Sequence, residues 1–142
     1  MKQQNYKTHR RWVVGYHIVT FFALIALIVG SIRNLIYTQD ENLYPASLLV
    51  LTSFILFFIF FFSRIFALKA QDRAIKAEEN FRHYLLTGKP LNAKLTVRQI
   101  VGLRFASDEE FPALAEKAAS ENISENDIKK AIKNWKADTY RV

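Results

Sequence analysis

A chain of 142 residues has room for one domain, or for a membrane anchor carrying a small domain. The absence of Cys excludes disulfides, thiolate metal sites and a Cys nucleophile, and three scattered His (His9, His17, His83) make no metal set. The net charge of +7 matters through its placement, and six of the 12 Phe (Phe54, Phe57, Phe58, Phe60, Phe61, Phe62) crowd one short window.

Residues 1–11 carry Lys2, Lys7, Arg10 and Arg11 and no acid. Trp12 to Ile32 then gives 21 residues without a formal charge, His17 apart. As a helix this is about 31 Å, enough for a hydrocarbon core of roughly 30 Å. The loop 33–45 sets Arg33 against Asp40 and Glu41, and Pro45 opens a second uncharged stretch, Ala46 to Ser63. Its length is about 27 Å, and Pro suits a helix start. Trp12, Tyr16, Tyr37 and Tyr44 fall near the span ends, where amphipathic rings favour an interface. The first apolar run is longer than a signal-peptide core, and no A-x-A-like site follows it. Arg64, Lys69, Arg73 and Lys76 follow the second span. The positive-inside bias therefore places both termini in the cytosol and the short loop outside. His17 lies about a turn inside the first span, either as a functional ionisable group or as a neutral ring reaching the headgroups. Ala26 and Gly30 form a small-xxx-small pair suited to packing on the second span or another chain.

Residues 64–87 contain no Gly or Pro, so the second helix is expected to run on as a stalk until Gly88 and Pro90 stop it. Asp72–Lys76, Glu78–Arg82 and Glu79–His83 have the acid-first i,i+4 order that supports a helix surface. Ala67, Ala70, Ala74, Ala77, Phe81 and Tyr84 alternate three and four apart, an a/d pattern. It is either a seam for self-association or partner docking, or a run of good helix formers whose Phe81 and Tyr84 pack on the chain's own tail.

Residues 88–142 predict a small helical tail that docks on the stalk, since about 55 residues are marginal for an independent core. Thr96 with Gln99 reads as a capping box before Ile100, Val101, Leu103 and Phe105; Ser107 with Glu110 reads as another, complicated by Pro112. Ser124 with Asp127 opens a last helix on which Ile128, Ala131, Ile132 and Trp135 share one face. "SDEE" (Ser107–Glu110) offers three carboxylates, either to a divalent cation or to the positive end of a helix. Lys129, Lys130, Lys133 and Lys136 surround Trp135, either as a basic face for anionic lipid or as solvated lysines over a packed apolar face. The tail from Arg64 holds 15 basic and 11 acidic residues, +4 net, a poor nucleic-acid footprint.

The stretches "QNYKTH" (4–9), "ALKAQDRAIKAEE" (67–79), "LTVRQIVGLRFASDEEFPAL" (95–114) and "IKKAIKNWKAD" (128–138) together resemble an uncharacterised family of small bacterial membrane proteins, common in Bacteroidota-type bacteria. The resemblance covers most of the chain and implies an inner-membrane protein with two spans and a cytosolic helical tail. It implies no activity. Its motif positions include Gln71, Asp72, Arg73, Gln99, Arg104, Ser107, Asp108, Glu109, Glu110 and Trp135.

The expected architecture is all-α: a basic N-terminus (1–11), a two-helix transmembrane hairpin (12–63), a stalk (64–87) and a small helical tail (88–142). No nucleophile elbow, phosphate loop or HExxH occurs, so catalysis and cofactors have no support in the sequence. The reading favoured is a non-enzymatic membrane interaction protein, a homo-oligomer or an accessory subunit of a membrane complex, with lipids as its other partner. A lipid or ligand sensor using the tail lysines, and a small oligomeric pore with His17 and Arg33 near its path, are the alternatives.

Overall fold

A computed structural model describes residues 5–6 and 13–138. Lys2, Lys7, His9, Arg10, Arg11 and Trp12, read above as a basic end and the start of a span, lie outside the described residues. Every regular element among the described residues is helical, apart from one isolated bridge. Two compact units divide the chain, one within Arg11–Phe66 and one that begins again at Ala67 and also takes in the described residues Asn5 and Tyr6.

In the first unit a π-helical segment, Gly15–Thr20, leads into α1, Phe21–Tyr37. The helix runs past Ile32, where the span was expected to end, because Arg33 and Asn34 do not break it and Leu35, Ile36 and Tyr37 are tolerated in a helix. A 3₁₀ turn, Asp40–Asn42, precedes α2, Leu43–Thr87, with Pro45 in its first turn. α2 is unbroken over 45 residues, about 68 Å at 1.5 Å per residue.

α1 and the first part of α2 meet antiparallel along a line of three-and-four spacing. Leu24 and Ser31 on α1, and Ala46 and Ser53 on α2, are buried, with Ile28, Leu35, Val50 and Phe57 half-buried between them. The Ser31 and Ser53 hydroxyl oxygens lie 3.2 Å apart, which only small side chains allow. At the other end the Tyr16 ring stacks on Phe60, centroids 4.4 Å apart, and its OH donates to the Phe60 carbonyl. Ala26 and Gly30 are not on this line. Both are exposed, and a Cβ at Gly30 would meet nothing within 4 Å, so the small-residue pair does not serve packing on α2. His17 turns back along its own helix, Nδ1 3.0 Å from the Val13 carbonyl.

The two helices are long and apolar enough to cross a membrane, and only 11% of the most apolar stretch of each is buried. Phe22, Val29, Ile36, Phe58 and Ile59 all face outward.

The second unit comprises Asn5 and Tyr6, α2 from Ala67, α3 (Val97–Leu103), α4 (Phe111–Glu121), α5 (Glu125–Ala131) and an extended stretch to residue 138. Gly88 closes α2 with φ of 72°, a left-handed conformation glycine adopts without strain. The Thr96–Gln99 capping box forms in both directions, and Ser124 caps α5 through the Asp127 amide. Ile75 of α2 joins Ile100, Leu103, Phe105, Phe111 and Ile128 in one core.

Two expectations are corrected here. Ser107 and Glu110 do not form a capping box: α4 begins at Phe111 with Glu110 as its N-cap, so Pro112 sits in the first turn, where its missing N–H costs nothing. The last helix ends at Ala131, and Ile132 is already extended, with ψ of 123°. Further helical turns would stack Lys129 on Lys133 at i,i+4 and Lys133 on Lys136 at i,i+3, like charges on one side. The extended course instead buries Ile132 and lays the Trp135 ring on Phe105, centroids 4.9 Å apart.

Candidate functional site

The part of α2 within the second unit has two opposed faces. One carries Ile75, Glu79, Arg82 and His83 and receives the tail. Ile75 and Glu79 are buried, and the His83 ring meets the Phe111 ring edge-on at 5.8 Å. Arg82 is the hub of that face. Its guanidinium donates to Glu79 at 3.0 Å, to Asp108 at 2.7 Å and to the Ala106 carbonyl at 2.7 Å, and lies 4.5 Å from the Phe111 ring centroid. The planar fork of Arg suits several acceptors at once, where Lys offers a point charge. The acid-first pairs expected along the helix, Asp72–Lys76, Glu78–Arg82 and Glu79–His83, do not form among the described residues; Arg82 turns instead to Glu79 and across to Asp108.

The opposite face is the Ala pattern. Ala67 is half-buried, while Ala70, Ala74, Ala77, Phe81 and Tyr84 are exposed. Phe81 is 63% exposed and Tyr84 54%, which overturns the reading in which they pack on the chain's own tail. Leu85, 68% exposed, extends the face, an apolar residue the sequence reading passed over.

The carboxylates of "SDEE" diverge. Asp108 goes to Arg82, while Glu110 accepts from the amides of Lys133 (3.1 Å) and Asn134 (3.2 Å) and so holds the final stretch. The cluster also stands at a helix start, as one reading had it, with Glu110 the N-cap of α4, and no group of three or more His or acidic residues placed to hold a metal occurs among the described residues. The same stretch is zipped to the loop after α3: Lys136 N–H donates to the Phe105 carbonyl and Ser107 N–H to the Asn134 carbonyl, framing the Ala106–Trp135 bridge.

The four lysines do not share a helix face. Lys129 is buried, paired with Glu125 and 5.6 Å from the Phe105 ring centroid, whereas Lys130 pairs with Asp127 at the surface. Lys133 and Lys136 lie beyond the helix, exposed, and with Asp108, Glu109 and Trp135 line an open surface pocket of about 470 Å³.

The model of a family of unknown function, DUF6526, matches residues 1–142. The chain belongs to DUF6526. Neither a curated protein nor a solved structure matches it. In this DUF6526 chain, Gln99 and Arg104, two of the residues that carried the resemblance, do structural work in the tail. Gln99 completes the capping box and donates to the Ile123 carbonyl at 2.9 Å. Arg104 pairs with Asp138 at 3.1 Å and lies 4.7 Å from the Phe105 ring centroid. Gln99 thus ties α3 to the turn before α5, and Arg104 ties it to the end of the extended stretch.

One pH effect follows. The Arg82 hydrogen bond, then its charge, hold the Asp108 carboxyl below its ordinary range, with Lys136 adding to the effect. A folded-state pKa below the unfolded one gives stability that is present above the unfolded pKa and lost as pH falls through the folded value. Asp108 is 56% exposed, so solvent screening keeps its contribution below about 1 kcal/mol. The urea midpoint of the second unit is expected to fall on acidification below about pH 4, and Asp108→Asn to flatten that fall slightly while leaving other acid-sensitive groups in place. An identical acid limb in the variant would remove Asp108 from the account.

Proposed function

We propose that this DUF6526 chain is a non-enzymatic interaction protein of the bacterial inner membrane. α1 and the apolar first part of α2 form a transmembrane hairpin, the turn around Asp40–Asn42 faces outside, and both termini are cytosolic. α2 continues inward as a stalk, the helical tail is its interaction module, and the protein works as a homo-oligomer or as an accessory subunit of a membrane complex. The observation that carries the reading is the outward-facing apolar surface of both helices. A core helix of a soluble protein is mostly covered, whereas here Phe22, Val29, Ile36, Phe58 and Ile59 are each more than half exposed. Soluble monomers rarely leave contiguous apolar patches beyond a few hundred Å². The direction of insertion rests on Arg64, Lys69, Arg73 and Lys76 after the second apolar stretch, and on the acids of the turn. The non-enzymatic part is supported by the structural engagement of Arg82, Asp108 and Glu110 in the tail.

Because the chain has no Cys, single-cysteine labelling reads topology directly. Glu41→Cys is expected to react with a membrane-impermeant maleimide on intact spheroplasts, and Ser120→Cys only after permeabilisation. Equal labelling of both before permeabilisation, or recovery of the protein in the soluble fraction, would sink the hairpin.

A further inference from the structure

We infer that the open face of α2 pairs with the same face of a second copy, parallel and in register, so that Arg73 of each copy lies against Glu78 of the other. The inference deepens the interaction reading above and rests on it for the shared direction of two anchored copies.

The face is apolar and open among the described residues, and its far end carries Phe81, Tyr84 and Leu85, each more than half exposed. The charges beside it choose the occupant. With Ala67, Ala74 and Phe81 at a and Ala70, Ala77 and Tyr84 at d, the flanking g positions are Phe66, Arg73 and Asn80, and the e positions Gln71, Glu78 and Leu85. Arg73 and Glu78 are the charged members of that set, and neither takes part in an ion pair among the described residues. In a parallel two-stranded coil a g residue meets the partner's e residue five positions on, and five is the separation of Arg73 and Glu78. Two-fold symmetry then makes the pair twice. An antiparallel arrangement sets g against g and e against e, which brings Glu78 toward Glu78 and Arg73 toward Arg73 when the same segments meet. Complementarity of this kind on a single sequence specifies another copy of that sequence, in one direction and one register.

Pairing and tail docking are compatible. Ile75, Glu79 and Arg82 fall at b and f positions, on the side away from the a/d line, and the Leu91 amide reaches Asn80 at g without covering the a/d residues, so the tail stays in place when the open face is covered. Ala at four of the six a/d positions brings the backbones close, and Phe81 and Tyr84 supply most of the buried apolar area.

The test uses the full chain in mild detergent and in native membranes, with single cysteines in a protein that otherwise has none. Ala77→Cys, at d, is expected to form an intermolecular disulfide under mild oxidation, and Lys76→Cys, at c, is not. In the Ala77→Cys background, Arg73→Glu alone or Glu78→Arg alone is expected to weaken association roughly tenfold, and the two together to restore it. No cross-link at Ala77→Cys, equal cross-linking at Lys76→Cys, or no recovery in the double reversal overturns the inference. The native mass separates this failure from a wider one. A complex assembled through other surfaces or with other chains leaves the interaction reading standing while this pairing falls, whereas a lone 16.5 kDa chain overturns both.

Discussion

Arg82→Ala is expected to lower the stability of the second unit by about 3 kcal/mol, the scale of removing one partner from a buried ion pair. The side chain is 12% exposed, and so is Glu79 beside it, so the loss leaves a carboxylate in a poorly hydrated place with its cation gone. The Ala106 carbonyl loses the same donor, and the Phe111 ring loses the guanidinium over its face. Asp108, more than half exposed, rehydrates at little expense, so Asp108→Asn is expected to move stability by less than about 1 kcal/mol. The contrast separates a buried hub from a surface ion pair that shares its geometry. Urea unfolding of the full chain in detergent, followed by Trp135 fluorescence in a Trp12→Phe background, reads the difference. Equal midpoints for Arg82→Ala and wild type would remove the hub from the account of how the tail is held.

Much of the helical layout was legible because helix starts and stops are written locally. Thr96 with Gln99, Ser124 with Asp127, and Gly88 each act through their own backbone or a neighbour three residues away, which a sequence displays. What was not legible depended on partners distant in sequence. The a/d pattern of Ala67 to Tyr84 is more apolar than the face that receives the tail, yet the tail docks on Ile75, Glu79 and Arg82. That choice is made by Asp108 and the Ala106 carbonyl, 24 to 26 residues away from Arg82, and no periodicity encodes it. The same holds for Trp135. Its spacing from Ile128 suits a helix face, but Glu110 captures the Lys133 and Asn134 amides and the extended course follows.

The hairpin shows the limit from the other side. Ala26 and Gly30 matched a packing motif, while the contact runs through Ser31 and Ser53, whose spacing with Leu24, Ile28, Val50 and Phe57 was present in the sequence. In a stretch where nearly every residue is apolar, several lines of three-and-four spacing coexist. Geometry alone selects among them.

Gly102→Val is expected to cost the second unit roughly 2–3 kcal/mol, the upper range for overpacking a filled core. A Cβ at Gly102 would stand 3.2 Å from the Glu125 carbonyl oxygen and 3.4 Å from Ile128 Cγ2, where α3 crosses the first turn of α5. One methyl group is a close case, since Gly102→Ala also gains up to about 1 kcal/mol of helix propensity. Valine adds two more carbons, at least one of which must enter the contact. The obstacle is backbone, and Glu125 is held there by the Ser124 cap behind it and by its ion pair with Lys129, so α5 cannot yield alone. Moving it shifts Ile128 in the core and the Lys129 ammonium near the Phe105 ring. The expected series is therefore Ala close to wild type and Val well below it, read as urea midpoints on the same Trp135 signal. A valine variant as stable as wild type would mean that α3 and α5 do not approach this closely. A valine variant whose tail unfolds while single-cysteine labelling of the α1–α2 hairpin is unchanged would show that the first unit keeps its arrangement without the tail.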